Sequence, residues 1–112
     1  MYIEIHGSEQ RMDDIRLAFQ DQLEKAGFEE VSKFGSMDTG VLISYIKQDF
    51  IVSIQVTGES ELNDSKLRVE TEQEMDEIRL LWDSALIVYA IEVLKQIKSF
   101  AQDVNRVDQG IK

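Results

Sequence analysis

At 112 residues, with 43% apolar and 30% charged side chains, the chain has the size and composition of one folded domain, and wholesale disorder is not expected. Twenty-two acids against 12 bases leave a net charge of −10, which repels phosphate backbones and anionic lipid, so direct nucleic-acid or membrane-surface binding is disfavoured. The absence of cysteine rules out disulfides and thiolate metal sites.

The opening MYIEIHG lacks the basic start and apolar core of a secretory leader, so the expected location is the cytoplasm. Ile3 and Ile5 alternate with Tyr2, Glu4 and His6, which predicts a half-buried strand ended by Gly7. Ser8 is placed to cap a helix in which Met12, Ile15, Phe19, Leu23 and Ala26 recur at three- and four-residue steps, and Gly27 is placed to stop it.

From Phe28 the period falls to two. A weak strand from Phe28 to Phe34 leads through a turn at Gly35 to Gly40 into VLISYIK, Val41 to Lys47, which is apolar on both faces and reads as a central strand. Gln48-Asp49 is short enough for a hairpin although it lacks the usual glycine. In the next strand Phe50, Val52, Ile54 and Val56 share one face. After the polar segment Gly58 to Ser65, Leu67 and Val69 mark a last one-side-buried strand.

Thr71 and Glu74 form a capping box, so the second helix is expected to start near Glu72 and continue to about Val104, with a frayed tail over 105–112. The expected fold is α+β, an antiparallel meander sheet in the order β-α-β-β-β-β-α with two helices packed on one face, forming a single domain over 1–104.

About 33 helical residues span roughly 50 Å, whereas strands of about seven residues span roughly 23 Å, so half of the helix must overhang its own sheet. Its early polar stripe, Asp76, Arg79, Asp83 and Ser84, is displaced by more than a quarter turn from the later one, Glu92, Lys95, Ser99, Gln102 and Asp103. Between them Leu80 to Leu94 (LLWDSALIVYAIEVL) carries more apolar side chains than one face holds, and it is too short and too charged for a membrane span. The first half should be ordinary core, with Trp82 beside Ile78 and Ala85. The excess predicts a homodimer through Leu86, Ile87, Tyr89, Ala90, Ile91, Leu94, Ile97, Phe100 and Ala101. Coverage by the chain's own first helix, a bend near Ser84, or a foreign partner are the alternatives.

Chemistry is scarce. His6 is the only histidine, no serine sits in a nucleophile elbow, and no phosphate-binding loop is present, so neither catalysis nor a cofactor is expected. Eight carboxylates crowd one segment: Glu59, Glu61, Asp64, Glu70, Glu72, Glu74, Asp76 and Glu77. They lack the spacing and glycine of a calcium loop, so no metal site is expected. Acids at a helix start also suit its dipole.

The charge map predicts a small acidic binding protein that occupies a basic surface of a partner, such as a toxin or a nucleic-acid-handling enzyme. That describes an inhibitor of the immunity type or a virus-encoded counter-defence protein. The alternative is a structural or adaptor domain that assembles through the long helix.

Overall fold

The computed structural model describes residues 2–36, 40–59, 64–72 and 76–111, and the side chains of these apart from Ser36, Glu59 and residues 101–111. The elements follow the expected order: β1 (Tyr2–Gly7), α1 (Glu9–Lys25), β2 (Glu29–Ser36), β3 (Gly40–Lys47), β4 (Phe50–Glu59), β5 (Asp64–Thr71) and α2 (Asp76–Ile111). The fold is α+β, with a five-stranded antiparallel sheet ordered β1-β5-β4-β3-β2.

Local signals explain the boundaries. The Ser8 hydroxyl accepts the Arg11 backbone N–H at 3.2 Å and caps α1. At the other end Gly27 adopts φ 96°, which lets the N–H groups of Gly27 and Phe28 reach back to the carbonyls of Glu24 and Leu23. In the β3–β4 hairpin Lys47 pairs with Phe50, and Gln48 itself takes a left-handed φ of 55° in place of the missing glycine. Helix α2 begins at Asp76; Glu74 of the predicted capping box lies outside the described residues, as do the side chains of the tail expected to fray.

The core forms between one sheet face and the two helices. Met12, Ile15, Phe19 and Leu23 of α1 meet Ile43 and Tyr45 of β3, Val52 and Ile54 of β4, and Leu67 and Val69 of β5, all buried. From α2 come Ile78, Trp82 and Ala85, as the helical spacing predicts. Strand β1 lies at an edge beside β5, with Ile3 opposite Val69 and Ile5 opposite Leu67. The chain therefore passes from one edge of the sheet to the other through α1. Seventeen residues of helix cover about 26 Å, enough to cross four strand spacings of about 4.8 Å each.

The opposite face of the sheet is covered by no described element. Leu42 and Ile51 are exposed there, Ser44 and Ile46 are half-buried, and at the β2 edge Phe34 stands exposed opposite Leu42. The β2 register shifts between Glu30 and Ser32, a bulge that leaves Val31 exposed.

Candidate interaction surface

Helix α2 runs antiparallel to α1. Phe19, in the second half of α1, packs on Trp82 in the second turn of α2, while the start of α1 shares a cleft with a later stretch of α2. That cleft holds about 550 Å³; Leu17, Ala18, Val88 and Val93 make its apolar part and Arg11 and Glu92 stand among its polar residues. Gln96 is the last α2 residue to line it. Every side chain from Leu94 to Phe100 is exposed, so the helix has left its own domain there.

Two apolar faces of α2 are thereby separated. Ile78, Trp82 and Ala85 face inward, joined by the half-buried Leu81, Leu86 and Tyr89. On the outward side large apolar groups lie in solvent: Leu80 is 65% exposed, Ile87 60%, Leu94 64% and Ile97 58%, while Phe100, 71% exposed, lies five turns on from Trp82 along the inward line of the helix, past the end of the core. Ala90 and Ile91 are exposed between them. Leu80, Ile87 and Leu94 stand seven residues apart, and Ala90 and Ile97 repeat the same interval three positions on. That alternation of three and four is the residue spacing found in coiled-coil seams.

The sequence-predicted association residues therefore divide. Ile87, Ala90, Ile91, Leu94 and Ile97 lie on the open side, Phe100 is exposed on the overhang in line with Trp82, and Leu86 and Tyr89 pack against the chain's own core; the Ala101 side chain lies outside the described residues. Leu80 belongs with the open set and was not anticipated, although its sevenfold spacing from Ile87 is visible in the sequence.

The acidic residues are less unified. Glu77, in the first turn of α2, binds Lys47 Nζ at 3.0 Å, and the same ammonium lies 5.5 Å above the Phe28 ring. Glu70 binds Arg68 at 3.2 Å on the outer sheet face, where the guanidinium also covers the Tyr2 ring at 4.6 Å. Glu72 and Asp76 are exposed and Asp64 is half-buried at the start of β5. Glu61, Glu74 and the side chain of Glu59 lie outside the described residues.

His6 is half-exposed on the outer sheet face, with Nε2 3.4 Å from Glu4, and Lys66 is 3.8 Å from the same carboxylate. Acid and base alternate across β1 and β5 here, which neutralises the face. Among the described residues no three of His, Asp and Glu converge as a metal set would, and no helix is long and apolar enough to cross a membrane.

No family model matches the chain, and no curated protein matches it. Among solved structures it is similar to the vertebrate conserved region of human METTL16, at 8% identity and a TM-score of 0.42, over 85% of this chain and 96% of that one.

Proposed function

We propose that this chain is a non-catalytic assembly module: a small folded body that presents a long helix for pairing with another copy. The observation that carries the reading is the exposed heptad seam of α2, Leu80, Ile87, Ala90, Leu94 and Ile97, on the side away from the core. Burying a large apolar side chain contributes about 1.5–3 kcal/mol, so Leu80, Ile87, Leu94 and Ile97 from each of two copies offer a gross gain on the order of 12–24 kcal/mol. Lost translational and rotational freedom opposes this by roughly 4–15 kcal/mol; the middle of the two ranges leaves about 8 kcal/mol, which corresponds to association at about micromolar concentration.

Inhibition of a partner through a basic surface has a narrower base. Two of the eight carboxylates, Glu70 and Glu77, already hold Arg68 and Lys47, so less free charge is offered than the sequence count suggests.

Sedimentation equilibrium tests the assembly reading. Wild type should sediment as a dimer at micromolar concentration, and Leu94→Glu should sediment at 12.9 kDa with an unchanged folded circular dichroism spectrum, because Leu94 touches no core residue. Wild-type monomer throughout that range overturns it.

A further inference from the structure

We infer that the two α2 helices pair antiparallel, in the register that sets Ile87 against Ile97 and Ala90 against Leu94 of the second copy; this rests on the assembly reading above. Three features of the chain select that arrangement. The first is side-chain size. In antiparallel pairing, each first seam position faces a second seam position, and this register puts small Ala90 opposite large Leu94 and branched Ile87 opposite branched Ile97. Sliding one heptad toward the helix start drives Asp83 against Leu94 and strips its carboxylate of water. Sliding one heptad the other way sets Ala90 against Ala101 and leaves the layer unfilled.

The second feature is the charge within the seam. A parallel pair brings identical positions together, so Asp83 would face its own copy, and like charges across a seam repel. In the antiparallel register Lys98 of one copy lies about three residues, roughly 4.5 Å along the axis, from Asp83 of the other. Both side chains are exposed, and among the described residues neither forms an ion pair within its own chain.

The third feature is the charge of the bodies. Residues 93–112 hold four bases and two acids, so the first 92 residues carry −12 of the net −10. Parallel pairing sets two such bodies side by side, at a helix spacing of about 8–10 Å. Antiparallel pairing separates Trp82 from its counterpart by about 30 Å along the axis, several times the screening length of about 8 Å at physiological salt.

The chain contains no cysteine, so single introduced thiols report geometry without background. Ile87→Cys and Ile97→Cys chains, one of them mass-tagged, are mixed and oxidised. Antiparallel pairing predicts 87-to-97 cross-links between unlike variants and none between like ones, since equal positions are then about 15 Å apart along the axis, beyond disulfide reach. A dimer whose like variants cross-link, or one that cross-links in neither mixture, overturns the inferred arrangement and leaves the assembly reading standing. A chain that never dimerises overturns both. Charge exchange supplies a second measure: Asp83→Lys and Lys98→Glu should each weaken dimerisation several-fold, and the double exchange should restore it. Failure of that restoration counts against the register.

Discussion

The rings of Phe19 and Trp82 meet edge to face, with centroids 5.4 Å apart and planes at 80°. This contact ties α1 to α2 at the point where both lie over the sheet, and both side chains are buried. Replacing Trp82 by alanine removes the ring and leaves a cavity, with a loss of about 3–5 kcal/mol of stability. Urea unfolding followed by circular dichroism measures it, because the only tryptophan is then gone. In a monomeric Leu94→Glu background, Leu80→Ala on the exposed side should cost little by the same assay.

The Tyr45 hydroxyl accepts a hydrogen bond from Gln20 at 2.8 Å and donates to Glu24 at 3.3 Å, which holds β3 to α1. Burial pushes its phenol above the usual tyrosine range; neighbouring Glu24 and Glu30 add to that shift, and the Gln20 hydrogen bond opposes it. A raised folded pKa means that the unfolded chain loses this proton first as pH climbs. The contribution is whole below about pH 10 and is lost as pH rises through the folded value. Tyr45→Phe should lower stability by about 0.5–1.5 kcal/mol at neutral pH and flatten part of the alkaline decline. Urea midpoints of both proteins between pH 8 and about 11.5 give the difference; identical alkaline slopes would refute this account.

Gly35 holds φ 94° at the end of β2, where a Cβ would run into the Gly40 carbonyl oxygen. Gly35→Ala should therefore cost roughly 1–3 kcal/mol although the site is exposed. At Gln48 the opposite holds, since a non-glycine residue already sits at φ 55°. Gln48→Gly relieves that strain and adds freedom to the unfolded chain, for a net gain below about 1 kcal/mol. Thermal unfolding of the two variants should move in opposite directions.

Lys47 and Glu77 join the end of β3 to the first turn of α2 across 30 residues, and both side chains are partly exposed. Water screens such a pair, so Glu77→Gln should cost less than about 1 kcal/mol. A double-mutant cycle with Lys47→Met isolates the coupling, which should shrink as salt rises. A salt-independent coupling would assign the contact to packing on Phe28 instead.

Most of the fold could be read from side-chain period. Met12, Ile15, Phe19 and Leu23, or Val52, Ile54 and Val56, leave one face available for burial, and that face is buried. The N-cap Ser8 and the stop at Gly27 were legible because each solves a local hydrogen-bonding problem. The partner of β1 was not legible: alternation in Tyr2–Gly7 specifies a half-buried strand but not which of four strands it joins. Nor was the bulge at Val31, which depends on pairing with β3. On α2 the surplus of apolar groups was plain, yet dividing Leu86 and Tyr89 from Ile87 and Leu94 required knowing where α1 lies. The acid count overstated free charge because Lys47 and Arg68, distant in sequence from some of their partners, take up Glu77 and Glu70.

Because β1 joins β5, the first strand of the chain completes the sheet only with the last. The hairpins β2–β3, β3–β4 and β4–β5 close over short separations, whereas Ile3 must find Val69 across 66 positions. Such a contact carries a large loop-closure entropy and raises contact order, so the meander is set to form ahead of it. During synthesis the apolar side of α1 must wait for residues that emerge much later, and Phe19 lacks its ring partner until Trp82 of α2 is made.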